Sequence, residues 1–355
     1  VPKKHPLFGF FLNFASNSIL ESVMEFRTVV PLPKRIPPLQ PEQRILLLGS
    51  CFSEHLGATL QRHHFQVDLN PFGILYNPAS IAAALQRILT GTPFQAEELF
   101  FYQERWHSRM HHGDFSAPTA EEALTRINGR LLPAHEAMAA TDWLMITFGT
   151  SYVYREKEQG GVVANCHKLP EKFFSRSRLS VEEIVEEYSA LIKRLLALRP
   201  TLKLLFTVSP IRHLRDGLHA NQLSKATLLL AIDALQERFP ESVFYFPSYE
   251  IVNDELRDYR FYAEDMLHPS PTTVSYLWER FGETFFSPET QQFVREVERV
   301  SDGLAHRPIQ PDSEATHRFL SNLEQSILEL SKKYRTIDFQ NELKLCRARL
   351  NKSQN

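Results

Sequence analysis

The chain has 355 residues, too many for one small domain and suited to one large α/β domain with an extension, or to two domains. Hydrophobic residues make up 43% and charged residues 23%, the balance of an ordinary globular protein, and no apolar run is long enough to span a bilayer. Forty Lys+Arg against 42 Asp+Glu leave a net charge of −2, which argues against a nucleic-acid partner, and 3 Cys exclude a disulfide framework or a four-thiolate zinc site.

Residues 7–20 follow Lys3 and Lys4 as a short apolar run, broken by Asn13, Ser16, Asn17 and Ser18. Met24 opens a more ordinary beginning, so residues 1–23 are expected to be an N-terminal extension upstream of the start. The expected location is then cytoplasmic, with export as the alternative if residues 1–23 act as a signal.

From Arg44 the pattern is regular. ILLLG at 45–49 reads as a buried parallel strand, and residues 51–64 as a helix with Phe52, Leu56 and Leu60 on one face. FQVDL at 65–69 is a second strand, ended by the turn signal Asn70-Pro71-Phe72-Gly73. Asn77-Pro78 leads into a helix. Residues 91–118 are rich in aromatics and His and read as an inserted hairpin or loop, followed by a helix from about Thr119 to Met138. WLMITFG at 143–149 is a third strand, and residues 155–178 a long polar excursion. Residues 180–200 form an amphipathic helix, capped by Ser180 with Glu183 completing a capping box. LKLLFTV at 202–208 and SVFYFP at 242–247 are the fourth and fifth strands, separated by a helix from Asn221 to Phe239. A last helix of this region runs from Thr272 to Phe286. Residues 288–355 add no strand; they carry a helical pattern at 313–334 (Phe319, Leu323, Ile327, Leu330) and a charged tail.

Strands alternating with helices imply parallel βαβ units. The expected fold is a three-layer α/β/α sandwich with a five-stranded parallel, flavodoxin-like sheet of order 2-1-3-4-5. The expected organisation is a catalytic domain over 24–287 and a helical C-terminal extension over 288–355, which would cover the cleft or form a homodimer.

In open α/β sheets ligands bind outside the carboxyl ends of the strands. Those ends carry Gly49-Ser50-Cys51, Asn70 to Gly73, Gly149-Thr150-Ser151, Arg212-His213 and, after a delay, Asp265-Met266-Leu267-His268-Pro269. Cys51 is expected at a helix N-terminus, where backbone N–H groups favour an anionic sulfur, with His268 as its base and Asp265 as the group orienting the imidazole. A buried inert Cys is the plainer reading of Cys51, and a helix cap that of Ser50, the competing nucleophile. Arg212 and His213 are candidates for an anionic substrate group; a surface His is the plain alternative. Asn70 is a further substrate-binding candidate. His107, His111, His112, Cys166 and His167 complete no familiar metal-ligand spacing, so no metal is expected. No phosphate-binding glycine loop follows the first strand, so no nucleotide cofactor is expected either.

The blocks GSCFS (49–53), NPFGILYNP (70–78), FGTSYVY (148–154), NCHKLP (165–170) and SPIRHLRDG (209–217), in this order, resemble the GSCFA-domain family. A nucleophile on the first strand-to-helix turn with a late D-x-x-H pair is similar to the SGNH (GDSL-like) hydrolase superfamily. The resemblance implies an acyl-ester hydrolase or acyltransferase working through a covalent acyl-enzyme on a small-molecule or glycan acyl substrate. It puts Cys51 in the nucleophile position and makes Gly73 and Ser151 oxyanion donors. Ser151 replaces the Asn of the superfamily's G-x-N block, so Asn165 is a substitute donor. The alternative function is a non-catalytic carbohydrate- or partner-binding module.

Overall fold

The computed structural model describes residues 27–158, 160–310 and 313–352; the expected N-terminal extension, residues 1–23, lies outside the described residues. Five strands form the central parallel sheet: β1 (Arg44–Gly49), β2 (Gln66–Leu69), β5 (Trp143–Phe148), β9 (Lys203–Val208) and β10 (Val243–Tyr245). They lie side by side in the order β2-β1-β5-β9-β10, all pairs parallel. Counted along the chain, this is the expected order 2-1-3-4-5.

The two faces of the sheet bury different residues, because side chains alternate along each strand. Leu46, Leu48, Leu144, Ile146, Phe148, Leu204 and Phe206 point to one side. There they meet α2 (Pro78–Thr90), α3 (Ala120–Met138), α4 (Val181–Leu198) and α5 (Gly217–Arg238). Ile45, Leu47, Trp143, Met145 and Leu205 point to the other, against α1 (Cys51–Arg62) and α7 (Pro271–Phe285). Burial on both sides is why these strands read as continuous apolar runs. The predicted capping box is present, with Ser180 Oγ accepting from Glu183 N–H at 3.1 Å and Glu183 accepting from Ser180 N–H at 2.7 Å. After β10 the chain makes one turn, α6 (Ser248–Glu250).

Two insertions depart from the alternating pattern. β3 (Leu99–Tyr102) and β4 (Arg105–Ser108) form the expected hairpin within 91–118. The stretch read as a polar excursion instead contains a small antiparallel sheet: β6 (Tyr152–Glu156) between β7 (Val162–Val163) and β8 (Phe174–Arg178). Its strands span two to five residues and bury little, so no apolar run announced them.

The C-terminal segment consists of α8 (Pro288–Ala305), α9 (Glu314–Lys333) and α10 (Gln340–Lys352), so the charged tail is largely helical. Leu323, Ile327 and Leu330 face inward with Phe293, Val297 and Cys346, in one continuous core with Ile45 and Trp143 of the sheet. The apolar stripe of the extension thus packs within the chain. Among the described residues no helix is long and apolar enough to cross a membrane.

Ile327 is fully buried in this shared core. Ile327→Ala should cost about 2–5 kcal/mol through lost burial and the cavity left behind. Denaturant unfolding of the variant should remain a single transition, because the C-terminal helices and the sheet share the core; a separate early transition would show that they unfold independently.

Candidate active site

The chain leaves β1 to one side for β2 and then returns to β5 on the other. The carboxyl ends of β1 and β5 therefore flank the switch point at which such sheets open a crevice. The structure has a cleft of about 390 Å³ there. Ser50, Cys51, Tyr76, Gly149, His213 and His268 line it, together with Tyr152, Tyr154 and Arg176 of the small antiparallel sheet. Among the described residues, none beyond His268 lines the cleft.

Gly49 ends β1 at φ +146°, and a Cβ there would lie 2.4 Å from Thr147 O. Only glycine fits this close approach, and it lets the chain turn at once into α1. Ser50 is the N-cap: its Oγ accepts from Phe52 N–H at 3.3 Å, and the residue is 2% exposed. Cys51 is the first residue of α1, half-buried on the cleft wall. Its own N–H belongs to the first helical turn, which has no intrahelical acceptor. Tyr76 OH lies 3.7 Å from Cys51 Sγ.

Asp265 and His268 sit on the loop before α7. Asp265 Oδ1 accepts from the N–H groups of Leu267 and His268, both at 2.9 Å, and Oδ2 meets His268 Nδ1 at 2.5 Å. These hydrogen bonds, the backbone pair first, lower the Asp265 pKa to about 2. An ionised carboxylate can only accept, so His268 carries its proton on Nδ1 and leaves Nε2 as the basic nitrogen. Cys51 and His268 line the same cleft.

The other sequence candidates divide. Arg212 lines the cleft, donating to Met266 O at 2.6 Å and stacking 4.5 Å from the Tyr262 ring centroid. His213 also lines it, but donates Nε2–H to Gly149 O at 2.9 Å. Burial and the charge of Lys225 lower its pKa to about 4, so at neutral pH it is an uncharged hydrogen-bond donor and not a cation for an anionic substrate. Four candidates are not among the cleft-lining residues. Asn70 Oδ1 accepts from Gly49 N–H at 3.0 Å and its Nδ2 donates to Glu54 at 2.6 Å, which braces the end of β1. Gly73, at φ +74°, closes a turn by donating its N–H to Asn70 O at 2.7 Å. Ser151 is wholly buried, its N–H donating to Ser224 Oγ at 2.8 Å. Asn165 Oδ1 accepts from His167 N–H at 2.8 Å. Gly73 and Ser151 thus give their N–H groups to other parts of the chain, and Asn165 uses its carbonyl oxygen within its own loop.

The His-rich segment forms a buried group behind the hairpin. His107 bonds Ser116 Oγ and Tyr102 O, His167 bonds Ser108 O, and His111 bonds Ser108 Oγ while stacking on Phe72. Among the described residues no cluster of three or more His, Cys, Asp or Glu is arranged to hold a metal ion.

Sequence reasoning missed Tyr76 and Lys225. Lys225 is fully buried and donates to Gly149 O at 2.7 Å and Ser209 O at 2.6 Å, tying the ends of β5 and β9 behind the cleft. Its place on the apolar stripe of α5, with Leu228 and Ile232, was the available signal. Burial lowers its pKa from 10.5 to about 7.

A sequence model described as the GSCFA family matches residues 44–281, and one described as the GSCFA domain protein C-terminal domain matches residues 297–352. No curated protein matches the chain significantly.

The buried lysine has a measurable consequence. Unfolded, Lys225 keeps its proton to about pH 10.5; folded, it releases it from about pH 7. Across this window the unfolded state binds more protons, so stability rises with pH. Lys225→Met should abolish that part of the rise, measured by chemical denaturation at pH 7 to 10. Parallel pH profiles for the two proteins would show that the lysine stays charged when folded.

Proposed function

The chain belongs to the GSCFA family, and on that premise we propose that it is an acyl-ester hydrolase or O-acyltransferase of the SGNH type on a flavodoxin-like sheet, acting through a covalent acyl-enzyme on Cys51. The observation that carries this reading is the Asp265–His268 pair, its Nδ1–Oδ2 contact at 2.5 Å, on the cleft that Cys51 lines.

Each part supplies a definite step. His268 Nε2 takes the thiol proton as Cys51 Sγ bonds to the carbonyl carbon, and the carbonyl π pair moves to oxygen. Asp265 holds the ring and stabilises the imidazolium. Collapse of the tetrahedral species expels an alkoxide, which receives the proton from His268. The resulting thioester is then attacked by water or by an acceptor alcohol, whose proton passes to His268, and the thiolate leaves. The acceptor alone distinguishes hydrolase from transferase. A cleft of about 390 Å³ suits a small acyl group or one sugar unit. Arg176 is bound to Asp216 and Arg215 to Glu171, whereas Arg212 pairs with no carboxylate among the described residues; it is the group suited to an anionic substituent on the substrate.

A second reading, a carbohydrate- or partner-binding cleft without turnover, is favoured by one observation: the N–H groups of Gly73 and Ser151 are both bonded elsewhere.

Thiol chemistry separates the two. Burial raises the pKa of Cys166 and of Cys346. Iodoacetamide at pH 7 should therefore alkylate Cys51 faster than either, by roughly tenfold or more. His268→Ala should remove most of that advantage, and Asp265→Asn a smaller part. On any ester turned over, Cys51→Ser should lose activity steeply while Ser50→Ala keeps it. Full activity in Cys51→Ser with a dead Ser50→Ala would transfer the nucleophile's role to Ser50. Unselective labelling without turnover would favour the binding module.

A further inference from the structure

An acyl-transfer site needs donors aimed at the oxygen on which charge develops. Around the cleft most of the nearby donors are engaged. Gly149 and Thr150 both give their N–H groups to Tyr76 O, at 2.8 and 2.9 Å. Thr150 Oγ1 is held by Tyr152 N–H and Ser224 Oγ, each at 3.1 Å. Of the residues expected from sequence, Gly73 gives its N–H to Asn70 O in its own loop and Ser151 gives its N–H to Ser224 Oγ of α5. The N–H of Cys51 remains available at the start of α1, and one hydroxyl stands beside the sulfur.

That hydroxyl belongs to Tyr76, and the backbone that carries it is fixed from several sides. Leu75 N–H donates to Gly49 O at 3.0 Å, at the end of β1. Tyr76 O accepts the two N–H groups at the end of β5. Asn77 Oδ1 caps α2 by accepting from Ser80 N–H at 2.8 Å, and Pro78 occupies the first helical position. The residue is therefore clamped to both strands that flank the crevice, with its side chain 38% exposed. Its OH lies 3.7 Å from Cys51 Sγ, within reach for a large sulfur acceptor, and meets no other hydrogen-bond partner among the described residues.

We infer that Tyr76 is a catalytic residue, whose OH stabilises negative charge first on Cys51 Sγ and then on the acyl oxygen of the tetrahedral species. The inference rests on the acyl-transfer reading and supplies the donor that reading lacks. The chemistry balances without proton transfer from the tyrosine. As the S–C bond forms, charge moves from sulfur to oxygen, and the O–H bond follows it while remaining intact. Burial, with the neighbouring Cys51 as a further cause, pushes the Tyr76 pKa above the ordinary tyrosine range, so the hydroxyl is a donor at any working pH. Cys51 N–H completes the pair of donors.

Tyr76→Phe keeps the ring and removes only the donor. Three measurements are made on this variant, on His268→Ala and on the unmodified protein: iodoacetamide alkylation of Cys51 at pH 7, the same at pH 10, and acylation by p-nitrophenyl acetate. Tyr76→Phe should slow alkylation at pH 7 by roughly two- to tenfold, the value of one hydrogen bond. The gap should close at pH 10, where thiols are ionised without help. Acylation should lose roughly 10²-fold in kcat with KM little changed. If Tyr76→Phe matches the unmodified protein throughout while His268→Ala is slow, the tyrosine's role is overturned and the Cys–His reading stands. An equal loss at both pH values would reflect blocked access and also overturn it. Cys51 no more reactive than Cys166 and Cys346 in the unmodified protein would overturn both.

Discussion

At Gly149 the backbone is bonded on both sides. Its N–H donates to Tyr76 O, and its carbonyl accepts from His213 Nε2 and from the buried ammonium of Lys225. A Cβ at this position would lie 3.0 Å from Tyr76 O and 3.5 Å from Ser50 Cβ, so the three segments meet at a point that leaves little room for a side chain. This junction locks the end of β5 to the loop after β2, and through Leu75 N–H to Gly49 O also to the end of β1. The cleft, the helix start that presents Cys51 and the approach of Tyr76 all depend on it. Lys225 adds a second tie, to Ser209 O at the end of β9. Burial of this lysine lowers its pKa to about 7.

The sheet was legible because its strands are covered on both faces. ILLLG, WLMITFG and LKLLFTV are apolar but for Thr147, Lys203 and Thr207, the near-continuous run that double burial requires. Cys51 was placed by the end of the first strand, whereas the Asp265–His268 loop follows the last strand only after a delay. The antiparallel sheet β6–β8 was not legible. Its strands are short and polar, and Arg176, Tyr152 and Tyr154 show their relation only when stacked together in space. The long polar helices at the C-terminus showed one clear stripe, at Leu323, Ile327 and Leu330, while α10 has so little apolar pattern that it read as a tail.

The expectation of Gly73 and Ser151 as oxyanion donors rests on a resemblance between motifs, with Asn165 as a substitute for the missing amide; a resemblance gives a position along the chain but not a direction in space. In this chain Asn70 bonds Gly49 and Glu54, and the loop that follows folds back so that Gly73 lies against His112. The same loop carries Tyr76 to the sulfur three residues later. The loop after β2 is thus tethered at Asn70 and Gly73 before it brings Tyr76 OH to 3.7 Å from Cys51 Sγ.

The proposed chemistry leaves a covalent acyl group on Cys51. It is read directly by mass spectrometry of the intact chain after brief exposure to p-nitrophenyl acetate, with peptide mapping of the adduct and its treatment with neutral hydroxylamine. One acetyl group is expected on Cys51, removed by hydroxylamine as a thioester is, and absent in His268→Ala over the same interval. An adduct on Ser50 that resists hydroxylamine, or acetylation spread over surface lysines with Cys51 unmodified, would contradict it.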